Sequence, residues 1–358
     1  MSGSLTRLRV HRSQLAPCIA LARVGLSARP PLVGGGVRRA MAASSVLHGA
    51  QTPTTTRIVA IGDVHYEWDE ESAEALAWLK PDVSLFVGDF GEEAIEVVEA
   101  VASSARKSNG AVILGNHDAW NILYQRKKRR SSRFLDQLGI LGDLHVGYSS
   151  KAFDAGISVV GARPCSSGGS SWGKHRPFYQ AQYGVGSFKE SAQKIVSTAL
   201  AQPRGNAIVL LGHNGPTGLG SAAEDICGVD FLAEAGDFGD PDMEEAISGM
   251  RASHVGAPML VVFGHMHESL HPRFNPPGGR RKMTARDDNG VVYVNAAVVP
   301  RIRMGQHHFV VIDVEQVAGK RTVQRVRSVW VSRAGQSGAF ELTEEETWFR
   351  PSDPPPVM

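Results

Sequence analysis

Residues 57–65 read RIVAIGDVH, a short apolar run that ends in a glycine followed by an aspartate and, two residues later, a histidine. An apolar run of this length with such an ending predicts a buried strand. The pattern returns at 83–89 (VSLFVGD) and at 111–117 (AVILGNH), and the segments between them, 71–79 and 92–107, have the composition of helices. Strands that alternate with helices in this rhythm predict a parallel sheet with right-handed crossovers.

The second half of the chain repeats this arrangement. Apolar runs at 157–160, 207–211 and 259–263 predict three more strands, and the last two are followed by Gly-His. A segment rich in glycine, serine and aromatic residues, 162–184, is expected to be a long loop, and a helix is predicted after it at 186–201. Further strand-like segments follow at 291–299, 307–315 and 321–332. The whole pattern predicts an α/β fold.

Side chains of the kind that bind metals stand just after five of these strands, and each group follows a glycine. They are Asp63 with His65, Asp89, Asn116 with His117, His213, and His265 with His267. Because open α/β sheets place their ligands beyond the carboxyl ends of the strands, these groups are expected to converge in space. Imidazole and carboxylate without thiolate suit Mn, Fe or Zn, whereas an all-oxygen site would suit Mg or Ca.

The chain resembles the calcineurin-like metallophosphoesterases over about residues 57–312. It carries five blocks similar to those of that family: GDVH (62–65), GD (88–89), GNHD (115–118), GH (212–213) and GHMH (264–267). The stretches GHNGP (212–216) and EDICG (224–228) are also similar to an uncharacterised phosphoesterase subfamily of cyanobacteria and plastid-bearing eukaryotes. The resemblance implies an αβ sandwich, in which two mixed β-sheets pack face to face with helices outside.

The resemblance also implies how the ligands divide between two divalent or trivalent metal ions. Metal one would take Asp63, His65, Asp89 and His267, and metal two would take Asp89, Asn116, His213 and His265. Asp89 would then bridge the two ions, which together activate a water for in-line attack on phosphorus. His117 would be the general acid toward the leaving oxygen, and Asp118 would either orient its imidazole or cap a helix.

These features predict hydrolysis of a phosphate ester, with a phosphorylated molecule as the substrate. A phosphodiesterase or nucleotide pyrophosphatase is the alternative among enzymes, and a catalytically silent metal-binding scaffold is the alternative outside them. Such scaffolds usually lose a ligand or the acid histidine, whereas this chain keeps all of them. The sequence has no Gly-x-Ser-x-Gly elbow and no Rossmann glycine fingerprint after its first strand, which excludes a serine hydrolase and a dehydrogenase.

Composition changes sharply along the chain. Residues 1–62 hold eight arginines but no lysine and no acidic residue. This predicts an organelle transit peptide over 1–41, for the chloroplast or alternatively the mitochondrion, and then a linker over 42–56. A catalytic domain is predicted over 57–335 and a C-terminal tail over 336–358. Without its first 40 residues the chain loses seven of 38 basic residues and none of 36 acidic ones, so its net charge falls to about −5. Nucleic-acid binding is therefore not expected.

Two further segments leave alternatives open. The basic run 126–133 is either a solvated surface or a docking patch for a phosphorylated polymer or protein. Within the predicted loop, residues 172–179 mix aromatic side chains and cations. Lys174 or Arg176 therefore either holds a substrate phosphate or belongs to a lid that packs for stability. The sequence contains no run of eighteen apolar residues, so no membrane span is predicted.

Overall fold

A computed structural model of the chain describes residues 54–124, 133–317, 319–335 and 338–353. Three predictions concern residues outside these ranges: the transit peptide (1–41), the linker as far as residue 53, and most of the basic run (126–132). The last residues of the predicted C-terminal tail, 354–358, also lie outside the described part of the chain.

The described residues form strands and helices in the following chain order. The strands are β1 (Thr54–Ile61), β2 (Val83–Phe86), β3 (Gly110–Val112), β4 (Ser150–Phe153), β5 (Ile157–Gly161), β6 (Ala207–Leu211), β7 (Leu260–Phe263), β8 (Thr284–Arg286), β9 (Val292–Asn295), β10 (Ile302–Arg303), β11 (Gln306–Val317), β12 (Lys320–Arg333) and β13 (Phe340–Phe349). The helices are α1 (Glu70–Trp78), α2 (Ile95–Lys107), α3 (Trp120–Tyr124), α4 (Phe134–Leu141), α5 (Trp172–Tyr183), α6 (Phe188–Leu200) and α7 (Pro241–Arg251).

The strands form two sheets, and each sheet contains both parallel and antiparallel neighbours. The first sheet has the order β13-β12-β11-β1-β2-β3, with β10 paired to β11, and the second has the order β4-β5-β6-β7-β9-β8. Strands β1, β2 and β3 are parallel to one another, as are β5, β6, β7 and β9. The prediction of an α/β fold with two mixed sheets and flanking helices is confirmed.

Successive residues of the central strands face two different cores. In β1, Ile58 and Ala60 pack between the sheets, where they join residues of the second sheet such as Val209. Val59 and Ile61 face the other way, toward the helices outside. Because both faces of the strand are covered, its sequence is an unbroken apolar run and not an alternating one. Polar side chains are thereby confined to the strand ends.

Of the helices in the described residues, the sequence predicted three and missed α3, α4, α5 and α7. The predicted helices correspond to α1, α2 and α6, but the segment 162–184 was expected to be a loop and contains α5. Pro177, a strong loop signal, lies inside α5, where the buried Phe178 and Tyr179 hold the helix by tertiary packing. Among the described residues, no helix combines the length and the apolar character needed to cross a membrane.

The segment predicted as a C-terminal tail, 336–358, contains strand β13, and this part of the prediction was wrong. The strand pairs antiparallel with β12 and extends the first sheet to Phe349. Its sequence, FELTEEETWF, gives no alternating signal because the strand is exposed along most of its length. Ion pairs attach it instead, including Glu345 to Arg327 at 3.0 Å.

A buried ion cluster joins the loop after β5 to the start of α7. Nη2 of Arg163 lies 2.6 Å from Oδ1 of Asp240, its Nε lies 2.9 Å from Oδ2 of Asp242, and the three side chains are at most 2% exposed. The side-chain amide of Asn214 also donates to Asp240, at 3.5 Å. Since Asn214 follows His213 directly, the cluster supports a loop that carries a predicted metal ligand.

Replacing Arg163 by glutamine is expected to lower the free energy of unfolding by about 3–5 kcal/mol, because two buried carboxylates lose their cation. Burial and the neighbouring Asp242 raise the pKa of Asp240 to about 6, against the opposing effect of Arg163. Loss of Arg163 raises that pKa further, so the deficit should shrink as the pH falls from about 8 to about 5 and Asp240 takes up a proton.

Urea denaturation of the full chain at both pH values measures this effect. The matched control is Arg251→Gln, which removes the exposed partner of Asp287 in a pair of 2.8 Å. The control should cost less than about 1 kcal/mol. Equal losses in the two variants would contradict a stabilising role for the buried cluster.

Candidate metal centre

The loops that follow five strands carry the predicted ligands. The loops after β1, β2 and β3 belong to the first sheet, and those after β6 and β7 belong to the second. Because these strands run parallel within each sheet, their carboxyl ends lie at a common edge. The structure brings all seven predicted ligands together there: Asp63, His65, Asp89, Asn116, His213, His265 and His267.

The first ligand group consists of Asp63, His65 and His267, whose candidate ligand atoms lie within 4.8 Å of one another. Nε2 of His267 lies 3.4 Å from Oδ2 of Asp63 and 3.3 Å from Nε2 of His65. Two neutral imidazoles that approach through these nitrogens can share only one proton between them. A cation bound by both nitrogens uses both lone pairs, so the pair suits a metal site.

The second ligand group consists of Asp89, His213 and His265, with candidate ligand atoms again within 4.8 Å. Nε2 of His213 lies 2.9 Å from Oδ1 of Asn116 and 3.4 Å from Oδ1 of Asp89. Nδ1 of His213 donates to the carbonyl oxygen of Val87, 2.8 Å away. That hydrogen bond fixes the ring and directs Nε2 toward the other ligands, as in metal-binding histidines.

Asp89 lies between the two groups. Its Oδ2 is 3.9 Å from Nε2 of His65, and its Oδ1 is 3.4 Å from Nε2 of His213. The backbone N–H groups of Val64 and His65 donate to its carbonyl oxygen at 3.0 and 2.7 Å, which ties the first two ligand loops together. A carboxylate that turns a different oxygen to each group has the geometry needed to bind two cations.

The ligand loops hold backbone conformations that side chains seldom adopt. The φ angle is +53° at Asp89, +44° at His65 and +69° at His265. Non-glycine residues in this region cost about 1–3 kcal/mol each, and they persist where the surrounding structure enforces them, often at functional sites. Gly115 meets a different constraint, since a Cβ there would lie 2.6 Å from Cε1 of His213.

The charged groups of the site act strongly on one another. Burial alone would raise the pKa of Asp89, but the facing His213 holds that pKa well below its usual range. Burial likewise opposes a charge on His213, and the Asp89 carboxylate nevertheless raises its pKa to about 10. Burial also opposes the charge on Asp63, but the hydrogen bond with His267 and the charges of His213 and His267 together lower its pKa. Two buried, ionised carboxylates among inward-facing imidazoles fit a pair of metal ions.

Asp118 was predicted either to orient the imidazole of His117 or to cap a helix, and its contacts are with the backbone of the loops after β2 and β3. Its side chain is fully buried, and its two carboxylate oxygens accept hydrogen bonds of 2.8 Å from the backbone N–H groups of Phe90 and Gly115. Among the described residues, no hydrogen bond joins Asp118 to His117. The two residues are neighbours on a tight 3-10 turn, so their side chains point in different directions. Asp118 therefore braces the loops after β2 and β3.

His117 lies at the rim of the site, with its side chain 27% exposed. Its ring stacks on Trp120, with centroids 4.6 Å apart, and its Nδ1 is 3.7 Å from Oε1 of Glu92. Sequence reasoning missed both neighbours. Trp120 had a usable signal, because residues three apart on a helical turn share a face. Glu92 had none, because only the fold brings it to this ring.

A row of aromatic contacts leads from His117 to α5. Trp120 contacts Tyr124 with centroids 4.3 Å apart, and Nζ of Lys174 lies 4.1 Å from the centre of the Tyr124 ring. Lys174 is thus connected to the rim on which His117 lies, and Arg176 is exposed on the same helix. Trp172 instead points inward and stacks on Tyr179.

Several solved structures are similar to this chain. A dimetal phosphatase from Danio rerio has 12% sequence identity and a TM-score of 0.42, and the match covers 82% of this chain and 99% of that one. The phosphopantetheinyl hydrolase PptH from Mycobacterium tuberculosis has 14% identity and a TM-score of 0.38, with 68% and 90% covered. A metallophosphoesterase from Sphaerobacter thermophilus has 15% identity and a TM-score of 0.30, with 72% and 82% covered.

No curated protein sequence shows significant similarity to this chain. The family model of the calcineurin-like phosphoesterases, by contrast, matches residues 56–269. That match spans more than half of the 358 residues and contains every predicted ligand. With two ligand groups at the shared edge of two mixed sheets, the chain belongs to the calcineurin-like phosphoesterase family.

Proposed function

We propose that this chain hydrolyses a phosphate ester at a centre of two metal ions, Mn, Fe or Zn, with His117 as the general acid. The observation that carries the proposal is the position of Asp89, whose two oxygens face the two ligand groups. The first ion would be held by Asp63, His65 and His267, and the second by Asn116, His213 and His265. When bound, the ions would neutralise phosphoryl charge and lower the pKa of a nucleophilic water.

The surroundings of His117 support its role as the acid. Its ring is partly exposed to solvent, so a leaving group can reach it. Trp120 stacks on the ring and holds its orientation. Glu92 lies on the Nδ1 side, with its Oε1 3.7 Å from that nitrogen. As the phosphorus–oxygen bond breaks, the leaving oxygen takes the imidazolium proton and departs as an alcohol. Esters with basic leaving oxygens gain most from this transfer.

Hydrolysis of a phosphomonoester can be tested directly against the alternatives. The full chain is stripped of metal, reloaded with Mn, Fe, Zn or Mg, and assayed with p-nitrophenyl phosphate and bis-p-nitrophenyl phosphate. We expect turnover only after reloading, and faster turnover of the monoester.

Each of the other outcomes selects a different function. A strong preference for the diester would favour a phosphodiesterase or nucleotide pyrophosphatase. Two bound ions with no turnover of either ester would favour a metal-binding scaffold. Turnover that persists after the metal is removed would contradict the proposal.

A further inference from the structure

A second site lies far from the metal centre, in a cavity of about 870 Å³. Its lining includes Ala207 and Ile208 at the start of β6, Met259 just before β7, and Val292 at the start of β9. The metal ligands follow the opposite ends of β6 and β7. At about 3.3 Å per residue, a five-residue strand separates the two sites by roughly 17 Å. Cavities of about 300–1,000 Å³ accommodate small organic ligands.

The Asp, Glu, Lys and Arg side chains that line the cavity are all of one sign. Four cationic side chains line it, Arg204, Arg286, Lys320 and Arg321, and none of its described lining residues is Asp or Glu. Arg286 donates to the carbonyl oxygen of Pro351 at 3.0 Å. Within the described chain, the side chains of the other three make no hydrogen bond or ion pair, and Nε of Arg321 is buried without a partner. Several unpaired cations around one half-open cavity favour an anionic ligand.

The shallower cleft beside the cavity has a different character. It shares Gln324 and Pro351 with the cavity and contains Asp313 and Glu315. Asp313 lies 3.0 Å from the guanidinium nitrogens of Arg325 and of Arg327, so its charge is already balanced. Carboxylates therefore do occur nearby on this face, and their absence from the larger cavity sets it apart.

The rest of the lining suits a ring rather than an inorganic ion. The partly exposed apolar side chains of the lining are Ala207, Val255, Ala257 and Met259. Other large apolar lining residues are at most 6% exposed: Ile208, Val292, Val323 and Phe349. A bare phosphate would leave the four partly exposed side chains uncovered, whereas the flat face of an aromatic ring would bury apolar surface against them. The cations and the apolar residues together match a ligand with an aromatic body and a phosphate group.

Three side-chain amides add a preference within that class. The NH₂ group of Gln202 donates to Ser150 at 2.7 Å, and the NH₂ group of Asn206 donates to Ser158 at 3.1 Å. The third amide, that of Gln324, donates to a neighbouring threonine at 2.8 Å. Each NH₂ group thus has at least one donor engaged inside the protein, which leaves the amide carbonyl oxygens to accept from a ligand. Such acceptors suit the exocyclic amine of a nucleobase.

We propose that this cavity binds a nucleoside phosphate, with the phosphate at Arg204, Lys320 and Arg321 and the base against the apolar residues and amides. This site is distinct from the metal centre, because the two share no residue. The proposal is independent of the proposed function for the same reason.

Titration calorimetry of the full chain, with metals removed by a chelator, tests the proposal using adenosine 5′-diphosphate. We expect a dissociation constant of about 1–100 µM. Adenosine keeps only the contacts of the base, and inorganic phosphate keeps only those of the phosphate. Each should bind at least about tenfold more weakly. Absence of binding at millimolar adenosine 5′-diphosphate would overturn the proposal, and so would equal affinity for phosphate alone.

Variants then decide where the nucleotide binds. Lys320→Gln combined with Arg321→Gln should weaken binding by about tenfold or more, while the metal-loaded enzyme keeps its p-nitrophenyl phosphate turnover. Lys189→Gln removes an exposed charge on α6 and should change nothing. Asp89→Asn should also leave the affinity unchanged. If the double variant fails to fold, Arg204→Gln on the exposed loop serves instead. An affinity that depends on Asp89 and not on the cavity cations would contradict the proposal.

Discussion

Replacing Asp89 by asparagine is expected to remove at least one bound metal and to lower phosphoesterase turnover by about a thousandfold or more. Loss of a single electrostatic contact to the reacting group already costs about 10²–10³-fold in rate. Asp89 would contribute more than one contact, because its oxygens face both ligand groups, at 3.9 Å from His65 and 3.4 Å from His213. An asparagine keeps the shape but offers one neutral oxygen, so it cannot offset the repulsion between two cations.

Elemental analysis of the purified full chain, paired with the p-nitrophenyl phosphate assay, measures both effects. The matched control is Asp143→Asn, because Asp143 is an exposed carboxylate outside the site. The control should keep two metals and full turnover. A variant at Asp89 that retains two metals and normal turnover would show that this carboxylate does not bridge the ions.

Replacing His117 by alanine is expected to separate two kinds of ester. An alkyl phosphate, whose leaving oxygen is strongly basic, should be hydrolysed about 10²–10⁴-fold more slowly, because it loses its proton donor. p-Nitrophenyl phosphate should slow far less, since its phenolate departs without a proton. Metal content should stay unchanged, because the side chain of His117 belongs to neither ligand group.

Steady-state kinetics with both esters tests this separation. His271→Ala serves as the control, because His271 is exposed and lies outside both ligand groups. The control should leave both rates unchanged. If His117→Ala slows the two esters equally, the side chain positions the substrate or the metals and is not the acid.

The core of the fold and the ligand positions could be predicted because they depend on local patterns. A buried parallel strand is an apolar run, and its end is marked by a glycine and a polar residue, as at Ile61, Gly62 and Asp63. When that signal returns after each strand–helix unit, it shows which residues lie at the same edge of the sheet. The convergence of Asp63, Asp89 and Asn116 therefore follows from the sequence once the strands are recognised.

Other features could not be predicted because they depend on tertiary contacts. Helix α5 contains Pro177 and follows a run of glycine and serine, and it is held by Phe178 and Tyr179 packing into the core. The neighbours of His117 pose the same difficulty. Glu92 reaches its ring from another loop, and the carboxylate of Asp118 turns to backbone N–H groups instead. Because Asp118 follows His117 directly in the chain, a contact between the two side chains was predicted, but the Asp118 carboxylate points elsewhere.

Strand β13 has a consequence for the behaviour of the protein in solution. It forms one border of the first sheet, and the outer border of a sheet offers unpaired N–H and C=O groups to any other extended chain. This border carries Glu341, Glu344, Glu345 and Glu346, and all four are exposed or nearly so. Three of them pair with arginines: Glu344 with Arg303, Glu345 with Arg327 and Glu346 with Arg280. A second copy that paired there, strand against strand, would therefore crowd charged side chains that are already engaged. The charged residues that give this strand no alternating pattern thus disfavour its pairing with another extended chain.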